Sequence, residues 1–207
     1  MSFPNNHHIV LKEFLRDYSS EITKGFASIN LEELEKIANL INETIKQGYT
    51  IFSCGNGGSS AISEHFVCDF LKGASTDTSI QPIIHSFTSN TPTLTAVAND
   101  ISYEEVFSFQ LEKYASRKDI LICISSSGNS PNILKSIETA KVIGMNTISL
   151  VGFDGGRAKE ISDYCIHVET NNYGIAEDLH QSLMHILAQY IRLINLEESK
   201  KAESLTF

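Results

Sequence analysis

Apolar positions along the chain follow two different periods. Over the first 48 residues they recur at helical spacing, as Ile9, Leu11, Phe14 and Leu15, then as Leu34, Ile37, Leu40, Ile41 and Ile45. Asn30, followed by Glu32 and Glu33, reads as an N-cap with an acidic first turn. From Tyr49 onward short, continuous apolar runs take over. Residues 49–54, 82–86, 119–124, 147–151 and 164–168 each read as a strand, and 119–124 is the most hydrophobic of them. Helical patterns fill the intervals at 61–71, 93–97, 103–114 and 131–142, and a long final helix is expected over 176–196. Residues 197–207 are polar and are expected to fray.

Strands alternating with helices imply right-handed βαβ units and a doubly wound, mostly parallel sheet with helices on both faces. Strands apolar on both sides suit a sheet that is fully covered. The expectation is one α/β domain over 1–207: N-terminal helices at 1–48, an α/β core with its final helix at 49–196, and a tail at 197–207. The amphipathic N-terminal section, which precedes any strand, is placed to cover the domain or to pack on another subunit.

Composition narrows the function classes. The formal charge is −9, and the 16 basic residues are scattered apart from Lys200-Lys201, which argues against a nucleic-acid partner. A small anion remains compatible, because a helix start binds phosphate through a few N–H groups whatever the global charge. No apolar run approaches the roughly 18 residues of a membrane span. Residues 1–8 lack the basic start and apolar stretch of a secretory signal. Cys54, Cys68, Cys123 and Cys165 form no CxxC pair and sit in or beside apolar segments, so buried reduced thiols and a cytoplasmic location are expected.

In an open α/β sheet ligands bind beyond the C-terminal ends of the strands, and two polar loops fall there. Gly55 to Ser60 offers glycines, including Gly57 and Gly58, that let N–H groups approach an anion, then Ser59 and Ser60 at a helix start. It has neither the Lys of a Walker loop nor the glycine offsets of a dinucleotide fingerprint, so no nucleotide cofactor is expected. The second loop, Ser125-Ser126-Ser127-Gly128-Asn129-Ser130, is more telling. A turn needs one glycine and one capping hydroxyl. Four hydroxyls without a lysine suit a neutral cradle for a phosphomonoester at the positive end of the next helix.

Proton-transfer groups lie on two other segments. His65 and Asp69 are four apart on one helix face, and Glu177, Gln181 and His185 follow at i, i+4 and i+8 on the final helix. A carboxylate and a histidine suit isomerisation of an open-chain sugar through an enediol. Two His and two carboxylates equally suit zinc, which polarises a carbonyl. Spacing alone leaves both readings open.

Taken in order, Ser53 to Ser59, His65-Phe66, Ala98-Asn99-Asp100, Ile124 to Ser130, Gly152 to Gly156 and Glu177 to His185 resemble the phosphoheptose isomerases, which are sugar isomerase (SIS) domain proteins. The similarity runs from about residue 10 to 195. The resemblance implies a flavodoxin-like fold and a homotetramer with active sites between subunits. It also implies conversion of sedoheptulose 7-phosphate to glycero-manno-heptose 7-phosphate for bacterial surface polysaccharide. By the same resemblance Ser125, Ser126, Ser127 and Ser130 bind the phosphate, Asn56 and Ser59 line the sugar site, and Asp100 contacts substrate. Asp69 and His185 fall on the catalytic glutamate and histidine. His65, Asp69, Glu177 and His185 correspond to the zinc ligands of some members.

Two positions depart from the family pattern: Asp69 stands where Glu is usual, and Glu177 where Gln is usual. The shorter acid withdraws the base by about one carbon–carbon bond, and the added carboxylate favours a bound cation. The departures imply either greater reliance on a metal or retuning for a related sugar phosphate. The resemblance also admits rival roles: an isomerase of another phosphosugar, or a non-catalytic binding protein of the type that engages the replication initiator.

Overall fold

The computed structural model describes residues 3, 4, 7 and 10–197. Ile9 of the first apolar series, the basic pair Lys200-Lys201 and the tail from 198 lie outside the described residues.

Five strands form one sheet: β1 (Thr50–Gly55), β2 (Ile83–Ser86), β3 (Ile120–Ser125), β4 (Asn146–Val151) and β5 (Tyr164–His167). They lie in the order β2-β1-β3-β4-β5 and every pairing is parallel. This is the flavodoxin-like order, whose switch point falls between β1 and β3. All six residues of β3 are buried, as its unbroken apolar run requires.

Side-chain alternation along the strands divides the core into two layers. Ile120, Ile122 and Ile124 face one side with Ile51, Ile148 and Leu150. There they meet the apolar faces of α2 (Leu31–Lys46), α3 (Gly58–Cys68) and α8 (Tyr173–Ile194). Leu121 and Cys123 face the other side and pack with Val97, Val106, Leu111, Ile133 and Ala158. Those residues belong to α4 (Thr91–Asp100), α5 (Ser108–Tyr114), α6 (Pro131–Ile143) and α7 (Gly156–Ile161), and to the turn before α5. The first helix, α1 (Leu11–Ala27), lies on α8, and the Tyr18 hydroxyl donates to the Asp178 carboxylate at 2.6 Å. Asn30 caps α2 by accepting from the Glu33 N–H, a contact worth about 1 kcal/mol.

Several boundaries differ from the sequence reading. The helix expected over 103–114 is split into a 3-10 turn at Tyr103–Glu105 and α5. The Ser108 hydroxyl donates to the Glu105 carbonyl and carboxylate there, a local alternative to helical pairing. α3 begins at Gly58, three residues earlier than expected, and continues from Asp69 to Ala74 as a π-helix. α7, inside the segment after Gly152, carries no amphipathic pattern long enough to announce it. Of the four cysteines, all free, Cys54 and Cys123 are buried, whereas Cys68 is exposed and Cys165 half-buried. Expecting four buried thiols is therefore wrong, because Cys68 lies on the outer face of α3. No described helix is long and apolar enough to cross a membrane.

His180 on α8 is fully buried and no hydrogen bond reaches either ring nitrogen. Burial holds its imidazole down to about 4; the nearby Val151 carbonyl opposes the shift in part and His167 adds to it. The unfolded chain takes up this proton near pH 6.5 and the folded one near 4. Stability from the neutral ring is thus whole above 6.5 and lost as pH falls to 4, by about 3 kcal/mol. Replacing His180 by Leu should flatten that part of a urea-denaturation profile. An unchanged acid slope in the variant rules His180 out as its source.

Candidate active site

The loops after β1 and β3 meet at the switch point. Ser130 occupies the N-cap position of α6, yet its side chain makes no capping bond, and Pro131 behind it has no N–H. The Ser130 hydroxyl is thus free at the positive end of a 13-residue helix. Ser125 and Ser126 are buried; the Ser125 oxygen accepts from the Gly128 N–H, while the Ser126 hydroxyl has no partner in the described structure. Ser127 accepts from the Asn129 N–H. The loop is braced from outside by residues 152–158. Gly152 N–H donates to the Ser126 carbonyl, Arg157 N–H to the Asn129 side chain, and Ala158 N–H to the Gly128 carbonyl. Four serine hydroxyls thus share one six-residue loop at a helix start, a setting suited to an anion.

On the β1 side, Ser59 is buried in the first turn of α3, and Gly57 and Gly58 are exposed. Asn56 is half-buried and joined to α6 by a reciprocal amide pair with Asn132, with both bonds at 2.9 Å. The Tyr103 hydroxyl adds a third bond to Asn56, at 2.8 Å. Asp100 ends α4 three residues before Tyr103; it is exposed and accepts from the Asn99 amide. Asn132 and Tyr103 escaped the sequence reading. Their bonds to Asn56 span 76 and 47 residues, and no local period marks such pairs.

The proton-transfer groups gather between α3 and α8, which run side by side in the same direction. His65 Nε2 lies 3.2 Å from Asp69 Oδ1, and His185 Nε2 lies 3.4 Å from Asp69 Oδ2. The two imidazole Nε2 atoms are 3.3 Å apart, and the Gln181 amide nitrogen is 3.0 Å from His185 Nε2. Asp69 Oδ2 is buried and makes no hydrogen bond, because His185 is near it but not aligned. This cluster borders an open cleft of about 340 Å³ lined also by Gly73, Ala188, Gln189 and Arg192.

Glu177 does not join the cluster. Its carboxylate packs against Gly58, where an added Cβ would lie 2.2 Å from Oε2. Burial there raises its pKa, and the neighbouring Asp178 charge raises it further. A four-ligand set including Glu177 is therefore not assembled: the residue sits two helical turns above His185. The three that do meet fit a metal. One donor atom from each of His65, Asp69 and His185 lies within 4.8 Å of the other two, and two imidazoles with a carboxylate are a donor set that suits zinc. The Asp69 oxygen that makes no hydrogen bond keeps a lone pair for such an ion.

Comparison with known proteins agrees with this fold. The SIS domain model matches residues 14–152. The phosphoheptose isomerase of Helicobacter pylori is 38% identical over 183 residues, covering 88% of this chain and 94% of that protein. The phosphoheptose isomerase of Aliarcobacter butzleri is 37% identical, covering 88% and 95%. Among solved structures, a phosphoheptose isomerase from Neisseria gonorrhoeae superposes with a TM-score of 0.79 at 27% identity, over 88% of this chain and 98% of that one. The structure of one from Francisella tularensis reaches a TM-score of 0.81 at 24% identity, over 88% and 96%, a likeness of fold. With its parallel five-stranded sheet, its serine-lined helix start and this degree of identity across nearly the whole length of its relatives, the chain belongs to the phosphoheptose isomerase family of SIS-domain proteins.

Proposed function

We propose that this chain is an aldose–ketose isomerase that interconverts sedoheptulose 7-phosphate and D-glycero-D-manno-heptose 7-phosphate. The observation that carries the reading is the meeting of Asp69 with His65 and His185 from two helices, with one carboxylate oxygen making no hydrogen bond among the described residues. Asp69 takes the proton from C1 of the ketose, beside the C2 carbonyl, and the electron pair forms the enediol. His185 moves a proton between the two oxygens, and return of the carbon proton at C2 completes the aldose. Ser125, Ser126, Ser127 and Ser130 hold the phosphate, Asn56, Gly57, Gly58 and Ser59 face the sugar, and Asp100 contacts it from the rim.

His65, Asp69 and His185 would hold the zinc ion that the family admits. Such an ion, when bound, supplies Lewis-acid polarisation of the carbonyl. No nucleotide cofactor enters this chemistry.

The two halves of the site belong to neighbouring protomers in this reading. Eleven residues of helical rise separate Gly58 from Asp69, about 16 Å, whereas an extended heptulose phosphate reaches about 10 Å from phosphorus to C1 by its bond lengths. The reading therefore assigns the loops that hold the substrate and the Asp69 cluster that acts on it to different protomers. Leu11 and Leu15 on α1, and Ile186, Tyr190, Leu193 and Ile194 on α8, are exposed and supply an apolar surface for assembly. A homotetramer with active sites between subunits accommodates both facts. The sheet-and-loop domain and its N-terminal helices act as one unit in it.

The test is NMR observation of sedoheptulose 7-phosphate with purified protein in deuterium oxide. Aldose signals and deuterium at the reacting carbon are expected. No turnover of this or any other phosphosugar, together with tight binding to another protein, would favour a binding role instead. Metal analysis accompanies the assay: about one zinc per chain is expected, with activity lost on chelation and regained on adding zinc. Full activity in metal-free protein would remove the metal and leave the carboxylate–histidine chemistry alone.

A further inference from the structure

We infer that Asn132 is a positioning residue that, with Tyr103, locks the Asn56 amide so that it offers the sugar one N–H donor and no acceptor. The inference rests on the isomerase reading only in taking Asn56 as part of the sugar site.

The hydrogen-bond inventory carries the argument. Asn56 Oδ1 accepts from Asn132 Nδ2 at 2.9 Å and from the Tyr103 hydroxyl at 2.8 Å. A carbonyl oxygen has two lone pairs, so both are occupied. Asn56 Nδ2 donates one hydrogen to Asn132 Oδ1 at 2.9 Å, which leaves one N–H. Asn132 is only 2% exposed and is beyond direct reach of a ligand. Asn56 is half-buried beside the exposed Gly57 and Gly58, and presents the remaining N–H. A sugar oxygen with a lone pair satisfies that donor, and a protonated amine in the same place meets like polarity. The pair also ties the loop after β1 to the second residue of α6, fixing the sugar-facing amide relative to the phosphate cradle.

The test compares calorimetric affinities for sedoheptulose 7-phosphate and for inorganic phosphate. The proteins are the parent, Asn132→Asp, Tyr103→Phe, Asn56→Ala and the Asn56→Ala/Asn132→Asp double variant. The near-isosteric Asn132→Asp change removes the donor to Asn56 and turns a carboxylate oxygen toward its carbonyl. It should weaken sugar phosphate binding on the order of 10-fold while leaving inorganic phosphate unchanged. Tyr103→Phe should cost about 3-fold by the same measure. The double variant should bind no more weakly than Asn56→Ala alone, since Asn132 acts through Asn56. Equal weakening of both ligands would mean that Asn132 only props up the start of α6, and additive losses would overturn the inference as well. Should Asn132→Asp not fold, Tyr103→Phe carries the measurement, and an unchanged sugar affinity there overturns the proposal. A parent protein that binds the sugar phosphate but never converts it defeats the isomerase reading and leaves this one standing.

Discussion

An Asp69→Asn variant is expected to fold and bind phosphate like its parent, yet to turn over sugar phosphate about 10²–10⁴-fold more slowly, the range for loss of a general base. The carboxamide keeps the shape of the side chain, so packing at the start of the π-helix is preserved. The ion pairs it removes are partly exposed and contribute little to stability. What disappears is the basic lone pair on a buried oxygen that makes no hydrogen bond among the described residues. Zinc content separates the two ways of losing activity. A dead variant that still holds metal assigns Asp69 as base, and one that has lost it assigns Asp69 as ligand. Asp69→Glu, which restores the family's acid, should keep measurable turnover. An Asn variant with more than a tenth of parental kcat would exclude both roles.

The second large effect is expected at Gly128. Its φ is +63°, and an added Cβ would lie 2.0 Å from the Gly155 carbonyl oxygen and 2.7 Å from its carbon. The left-handed backbone alone costs a non-glycine residue about 1–2 kcal/mol, and the obstacle is backbone, which does not swing aside. The serine loop and the 152–158 segment are stitched together by three hydrogen bonds around this point, so relief of the clash must open the phosphate cradle. Gly128→Ala should lose about 3 kcal/mol or more in urea denaturation, together with most of its affinity for inorganic phosphate. Gly48→Ala is the control: φ is +74° there as well, but nothing lies within 4 Å of the new methyl. It should cost about 1–2 kcal/mol and leave phosphate binding alone. Equal losses at the two positions would show that backbone strain, not the close approach of the two loops, governs Gly128.

The architecture was legible because it is written in local periods. Five apolar runs, each ending in polar or glycine residues, locate the five strands, and the i, i+4 spacing of His65 and Asp69 anticipates their contact. The serine loop announces itself by having more hydroxyls than a turn needs. Features that depend on distant partners were not legible. The Asn56–Asn132–Tyr103 network joins three segments, and none of those residues is unusual in its own neighbourhood. Glu177 shares a helix face with Gln181 and His185, yet helix α3 offers it a glycine at that level instead of a ligand partner. The π-helix at Asp69–Ala74 has no compositional mark in DFLKGA, and we have no physical account of why it forms there.

The placement of α8 has a consequence for biosynthesis. This last helix fills one layer of the core with Ile175, Leu179, Leu183, Leu187 and Ile191, and it holds α1 through Tyr18 and Asp178. On a ribosome, where the amino end emerges first, α1 must wait about 150 residues for the surface that receives it. Until then Phe66 and Phe70 lack their cover. The imidazole that completes the cluster also arrives with that helix, so a nascent chain stalled before residue 173 is both sticky and inert.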